Sequence, residues 1–255
     1  MVARSGALAY RRFVLKLSGE ALGPGWKSGA AAAMERTDRL GLDMENAKLI
    51  AREIAAVHAR KAEIAVVVGG GNFIRGRTLR QAGVDANTAD KMGMVATVIN
   101  ALALGVALRE NGVDARVMSA ISMPGIAEAY DREVCLRHLE AGRVVVLAAG
   151  TGNPHFTTDS GAALRARELE AKAVLKATNV DGVYSDDPRK NAKAKRFEKL
   201  GFGEVVRRNL QVMDITAVTL CREGGIPIVV FDLAVKGNLM RAAQGKAVGT
   251  LVKGE

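Results

Sequence analysis

Six short apolar runs recur along the chain, with helically spaced segments between them. The runs are 12–18 (RFVLKLS), 63–71 (EIAVVVGGG), 114–119 (DARVMS), 142–150 (GRVVVLAAG), 172–178 (KAVLKAT) and 226–232 (IPIVVFD). They are rich in Val, Ile and Leu and largely lack a polar residue at every second position. That pattern predicts strands covered on both faces, as in a parallel sheet. The segment 43–61 (DMENAKLIAREIAAVHARK) places Ala47, Ile50, Ile54 and Val57 on one helical stripe, with Asp43 as its N-cap. Alternation of this kind predicts an α/β sandwich with a mainly parallel central sheet. In such sheets ligands bind beyond the carboxyl ends of the strands, so the loops that follow the runs are the informative ones. There is no internal repeat. The stretch 23–36 (GPGWKSGAAAAMER) lacks strand character and reads as a mobile excursion from the fold.

A chain of 255 residues with 49% apolar residues suits one large domain, or two lobes sharing a sheet. Its 37 basic and 27 acidic residues leave a net charge of +10. That excess fits either a nucleic-acid surface or sites for small anions. Aromatic residues make up only 4%, and no zinc-finger or RNP-like pattern is present, so nucleic-acid binding as the main function is disfavoured. Cys135 and Cys221 have no partner at metal or redox spacing and read as buried thiols of a reducing, cytoplasmic compartment. The first ten residues lack a secretory core. The apolar stretch 92–108 is interrupted by Gly93, Thr97, Asn100 and Gly105 and is short for a membrane span. It reads as a buried helix at a subunit contact.

Familiar nucleotide motifs fail here. A P-loop needs glycine before its lysine, and Trp26 stands before Lys27. A dinucleotide fingerprint counted from Gly69 meets Ile74 at the sixth position, and one counted from Gly150 meets His155. No HExxH occurs, and His58 and His138 lie within helical patterns as packing or surface residues.

Five stretches carry positive signals. In KLSGE the lysine Lys16 stands at a strand exit beside Leu17, Ser18 and Gly19, where backbone N–H groups and an ammonium could cradle phosphates; a plain strand-edge lysine is the alternative. In GGGNFIRG three glycines, including Gly70 and Gly71, permit close backbone approach to a ligand, and Arg75 offers a planar fork for phosphate. Asp90 in NTADKMGM is either a helix-start charge or an acceptor for sugar hydroxyls. The loop GTGNPHFTTD offers Thr151, Gly152, Asn153, Pro154, His155, Phe156, Thr157 and Thr158, then Asp159, which is either an N-cap or a carboxylate orienting Lys16. In KATNVDGVYSDDP a strand exit at Thr178 and Asn179 leads to a turn at Asp181-Gly182, then Tyr184 and Asp187. The basic run 187–199 that follows is either a solvated loop or a flap over a polyphosphate.

In this order the five stretches resemble the amino acid kinase superfamily and, within it, the bacterial UMP kinases (uridylate kinases). The match runs from KLSGEAL through GGGNFIRG, ADKMGM, GTGNPHFTTDSGA and KATNVDGVYSDDP to MDITAVTLCREGGIPIVVFD, leaving out roughly 23–40. The resemblance implies a three-layer α/β/α sandwich forming one domain over 1–255. Its N-terminal part would mainly bind the acceptor, and the part from about 165 would bind ATP. It implies transfer of the γ-phosphoryl group of ATP to UMP, with Mg²⁺ carried by ATP. Lys16, Arg75 and Asp159 would be catalytic. Lys16, Leu17, Ser18, Gly19, Gly71, Arg75, Thr178, Asn179, Tyr184 and Asp187 would meet ATP. Gly70, Asp90 and residues 151 to 158 would meet UMP. A homo-oligomer, a hexamer as in the family, a GTP activator and a UTP inhibitor are implied as well. The family's activator region corresponds to 23–28, which reads GPGWKS here and is followed by a longer Ala-rich stretch. Trp26, the only tryptophan, is expected to report effector binding there. The nearest rival is a sibling kinase with a carboxylate or carbamate acceptor; a ligand sensor on the same fold is a rival of another class.

Overall fold

The computed structural model describes residues 6–26, 40–186, 191 and 193–254, and only the backbone of Arg77. Among the described residues nine strands form one sheet: β1 (Arg12–Leu17), β2 (Glu63–Val68), β3 (Ala115–Ser119), β4 (Glu128–Ala129), β5 (Val144–Ala148), β6 (Val174–Thr178), β7 (Lys199–Gly201), β8 (Ile228–Asp232) and β9 (Gly249–Lys253). All six expected strands form. β4, β7 and β9 were not expected: the first two hold two and three residues, too few to carry a pattern, and β9 opens on a glycine.

The strand order is β4-β3-β5-β2-β1-β6-β8-β9-β7. Every pairing is parallel except β8 with β9. β1 lies mid-sheet. The chain leaves it toward β2 on one side and later returns to β6 on the other. The carboxyl ends of β1 and β6 therefore bound the point where the winding reverses, which is where an open α/β sheet has a crevice.

Helices cover both faces. One layer holds α1 (Met44–His58), α3 (Ala86–Glu110) and α8 (Asn238–Ala243); the other holds α4 (Arg132–Glu140), α5 (Thr158–Glu168) and α7 (Ile215–Glu223). Two further α-helices among the described residues are α2 (Gly76–Gln81) and α6 (Phe202–Arg207). Residues alternate between the layers as pleating requires: Phe13, Leu15 and Leu17 enter the core under α1 and α3, while Val14 enters the core under α5. Lys16 therefore points to the α5 side. Asp43 caps α1 as expected, accepting from Glu45 and Asn46 N–H.

α3 extends the apolar stretch to 25 residues and is long and apolar enough by composition to cross a membrane. Ala101, Leu104, Ala107 and Leu108 are buried against the sheet, however, as expected of a core helix. Its other face leaves Met92, Val95, Ile99 and Val106 exposed at 38–44%.

Candidate active site

Two lysines meet one carboxylate at the reversal point. β1 and β6 pair in parallel with Val14, Leu15 and Lys16 opposite Val174, Leu175 and Lys176, so the tripeptide Val-Leu-Lys lies beside its own copy. Neighbouring strands are about 4.8 Å apart. Both lysines project from the same face near the carboxyl end. Asp159 comes down on them from α5. Lys176 Nζ donates to Asp159 Oδ2 at 2.8 Å and to the Val212 carbonyl at 2.7 Å. Lys16 Nζ lies 2.8 Å from Oδ1 in an ionic contact off the hydrogen-bonding direction.

These three groups are only 10–17% exposed, so their charges act in a medium poorer than water. Burial alone would raise the Asp159 carboxyl, but the two ammonium groups outweigh it and hold the carboxyl below the usual range. Burial pushes Lys176 below the usual lysine range; Asp159 opposes this and Lys16 adds to it. The expectation that Asp159 orients Lys16 fits this geometry. The N-cap reading does not: Thr157 caps α5, its hydroxyl accepting from Asp159 and Ser160 N–H. Asp159 is thereby the second helical residue, free to reach the lysines.

Two cavities flank the cluster. One, of about 200 Å³, is lined by Lys16, Ser18, Glu20, Lys176, Thr178 and Asn179, with Trp26 and Leu233 on its apolar side. The other, of about 270 Å³, is lined by Gly70, Gly71, Asp90, Asn153, Phe156, Thr157 and Thr158, with Met94 and Thr97 of α3. Leu17 is buried in β1. Gly71, expected on the ATP side, lines the second cavity with Gly70.

Asp90 does not lie at a helix start. Asp85 caps α3 by accepting from Thr88 N–H, which puts Asp90 in the second turn, beyond the strongest part of the helix dipole. Its Oδ2 accepts the His155 N–H at 2.8 Å, and Arg80 stands 3.5 Å from Oδ1. One carboxylate thus fixes the threonine loop to α3. His155 itself is exposed and takes a left-handed φ of 70°. Thr157 also donates to Asp214, which accepts from Ser160 Oγ at 2.9 Å and caps α7. Gly152 takes φ +82°, and a Cβ there would come within 2.9 Å of the Ala120 carbonyl. Thr151 Oγ1 accepts from Asn153 N–H at 3.2 Å, a local turn bond; Thr151, Gly152, Pro154 and His155 build the loop rather than line the cavity.

The three glycines after β2 serve a purpose partly different from the expected one. None takes a positive φ. A Cβ on Gly69 would meet Gly19 N at 2.8 Å, and one on Gly70 would meet the Gly93 carbonyl at 2.8 Å. Those two glycines let protein backbones approach each other. Gly71 meets only Glu20 Cγ, at 3.9 Å, and has the room expected for a ligand. Gly19 is tighter than these three, its added Cβ falling 2.5 Å from Gly71 N, so the loops after β1 and β2 are in contact. Arg75 lies on this seam, half-exposed and paired with Glu20.

Tyr184 lines neither cavity. Its hydroxyl donates to Asp181 Oδ1 at 2.7 Å, and its backbone bridges to Arg196. Asp187, part of the basic run after it and most of the 23–36 stretch lie outside the described residues. The sequence reading passed over Lys176, Glu20 and Asp214. Trp26, expected to report an effector, lines the cavity of Lys16.

The oxygen groups of Ser18, Glu20 and Thr178 beside the first cavity suit Mg²⁺, a hard cation that keeps most of its phosphate and water ligands. Among the described residues there is no group of three or more His, Cys, Asp or Glu side chains placed to hold a metal by themselves.

Residues 11–232 match the model of the amino acid kinase family. The chain is 48% identical over 248 residues to the uridylate kinase PUMPKIN, chloroplastic, of Arabidopsis thaliana, a match spanning 97% of this chain and 70% of that relative. The crystal structure of a UMP kinase from Bacillus anthracis superposes with a TM-score of 0.88 at 36% identity, covering 96% of each chain. That of a UMP kinase from Ureaplasma parvum gives 0.83 at 35% identity, covering 95% of this chain and 98% of the other.

Proposed function

The chain belongs to the amino acid kinase family, and from that premise we propose that it transfers the γ-phosphoryl group of ATP to UMP, giving ADP and UDP for pyrimidine nucleotide synthesis. The observation that carries this reading is the Lys16–Asp159–Lys176 cluster standing beside two cavities. A UMP phosphate oxygen attacks the γ-phosphorus, and the bond from that phosphorus to the β,γ-bridging oxygen breaks. The attacking oxygen is already ionised near neutral pH, so no base has to remove a proton. What the protein supplies is alignment of two anions and neutralisation of their charge. The cavity of Lys16 and Thr178 would take ATP, and that of Gly71 and Asp90 would take UMP. Mg²⁺ would arrive on the triphosphate and neutralise part of its charge.

In this reading Lys16 and Lys176 meet the transferring group, and Arg75 swings from Glu20 to phosphate. Asp90 and the threonine loop hold the nucleoside, with Phe156, 51% exposed, offering a face to the base. The chain acts as one unit over 1–255, its N-terminal part mainly for the acceptor and the part from about 165 mainly for ATP. β1 and the turn after it serve both. Asp90→Ala should raise the KM for UMP by about tenfold or more, since an unpaired ribose hydroxyl is costly at a site built to bond it. The KM for ATP should stay within about twofold. Equal effects on the two substrates would remove Asp90 from the acceptor site.

The exposed row Met92, Val95, Ile99 and Val106 is spaced by three, four and seven residues, which keeps it on one stripe as in a helix-pairing seam. It supports self-association, a hexamer in the proposal. Light scattering should give a multiple of 26.9 kDa; a monomer under active conditions would refute it. GTP activation and UTP inhibition rest on the resemblance alone. Two free buried cysteines support the cytoplasmic placement.

A further inference from the structure

Asn72 and Asn100 form a buried polar pair, and every side-chain bond they make beyond each other ends at backbone. Asn72 is 2% exposed and Asn100 0%. Each donates to the other's carbonyl oxygen, at 3.0 and 2.7 Å. The second N–H of Asn100 goes to the Gly69 carbonyl at 2.7 Å, and that of Asn72 to the Gly41 carbonyl at 2.8 Å. The Asn72 carbonyl returns a bond from Gly41 N–H at 2.8 Å. Asn72 Oδ1 also lies where a Cβ on Gly19 would fall within 2.7 Å. The pair therefore joins α3, the exit of β2, the turn after β1 and the chain entering α1.

The bond to Gly69 matters most. A peptide unit is planar and trans, so the Gly69 carbonyl and the Gly70 N–H point in opposite directions. Pinning the carbonyl toward Asn100 turns that N–H away from α3's core face. The Gly70 carbonyl is pinned in turn by Phe73 and Ile74 N–H, at 3.0 and 3.1 Å, which fixes the Gly71 N–H. Neither the Gly70 nor the Gly71 N–H donates to an acceptor among the described residues. Both glycines line the acceptor cavity. Two successive free N–H groups of fixed direction suit an anion.

We infer that Asn72 and Asn100 are a positioning pair that aims the Gly70 and Gly71 amides at the phosphate of the acceptor, an inference that rests on the second cavity being the acceptor site. A polar pair that served folding alone could be replaced by apolar side chains of similar volume with little effect on the ligand. A positioning pair could not, because the amides it aims would wander, and misplacement by about 1 Å can cost as much as 10²-fold.

The test is steady-state kinetics of Asn72→Ala, Asn100→Ala and the double variant, with UMP and ATP varied in turn. The KM for UMP should rise about tenfold in each single variant, and the double should be little worse than either, because both remove one shared unit. The KM for ATP should stay within about twofold. Loss of a purely structural pair would lower the melting temperature and the active fraction but leave the KM for UMP in place, and that result overturns the inference. If the alanine variants do not fold, Asn72→Ser and Asn100→Ser carry the same comparison. An enzyme that ignores UMP overturns both the function and this inference; an enzyme active on UMP whose variants keep its KM overturns the inference alone.

Discussion

Lys16→Ala should lower kcat by about 10²–10³, with nucleotide KM values moving by no more than about threefold, as for removal of a preorganised charge acting mainly in the transition state. The ammonium is held 2.8 Å from Asp159 Oδ1 with its side chain only 10% exposed. It needs no reorganisation when charge shifts along the transferring phosphoryl group. Asp159→Asn should lower kcat too, but by another route. The amide keeps the shape and removes the charge that offsets two buried ammonium groups. Lys176 already titrates below the usual lysine range because of burial and Lys16, against the pull of Asp159. With that pull gone, Lys176 loses its proton at lower pH still. The protonated form is the useful one, so activity falls as pH rises, and in Asp159→Asn this alkaline fall should begin at lower pH than in the parent. On the acid side the parent should show no limb from Asp159, whose carboxyl is held below the usual range and stays ionised near neutrality. A parent kcat that rises with a single ionisation, abolished in Asp159→Asn, would make Asp159 a base and overturn this mechanism.

The buried strands were legible because strands covered on both faces need continuous apolar residues, and little else in a soluble chain does. The partnership of Lys16 and Asp159 was legible as one of two readings. The other half of the cluster was missed, although a signal was present. Val-Leu-Lys occurs at 14–16 and again at 174–176, and a lysine inside an apolar strand needs a partner. Only the pairing of β1 with β6 reveals that the two lysines share one carboxylate. The edge strands escaped for the opposite reason: β4 has two exposed residues, and no pattern fits in that length. The glycines show a third limit. A sequence reports that backbone must come close at Gly69 and Gly70, but not whether a ligand or another loop approaches. In the fold it is the turn after β1 and helix α3.

Choice of acceptor tests the central claim most directly. The second cavity is walled by a carboxylate, threonine hydroxyls, an asparagine and an exposed phenylalanine, and by Gly70 and Gly71, whose N–H groups meet no acceptor among the described residues. Those groups suit a ribose, a base and a phosphate. A small carboxylate or carbamate would reach fewer of them than a nucleotide does, and a site built on hydrogen bonds rejects a ligand that lacks the partner by up to about 10⁴-fold. The measurement is ADP release from ATP with Mg²⁺, coupled to a reporter, with UMP, acetylglutamate and carbamate offered in turn. The account predicts that kcat/KM for UMP exceeds the other two by at least about 10²-fold, with one UDP formed per ADP. Comparable turnover of acetylglutamate or carbamate, or tight nucleotide binding with no turnover of UMP, would contradict it.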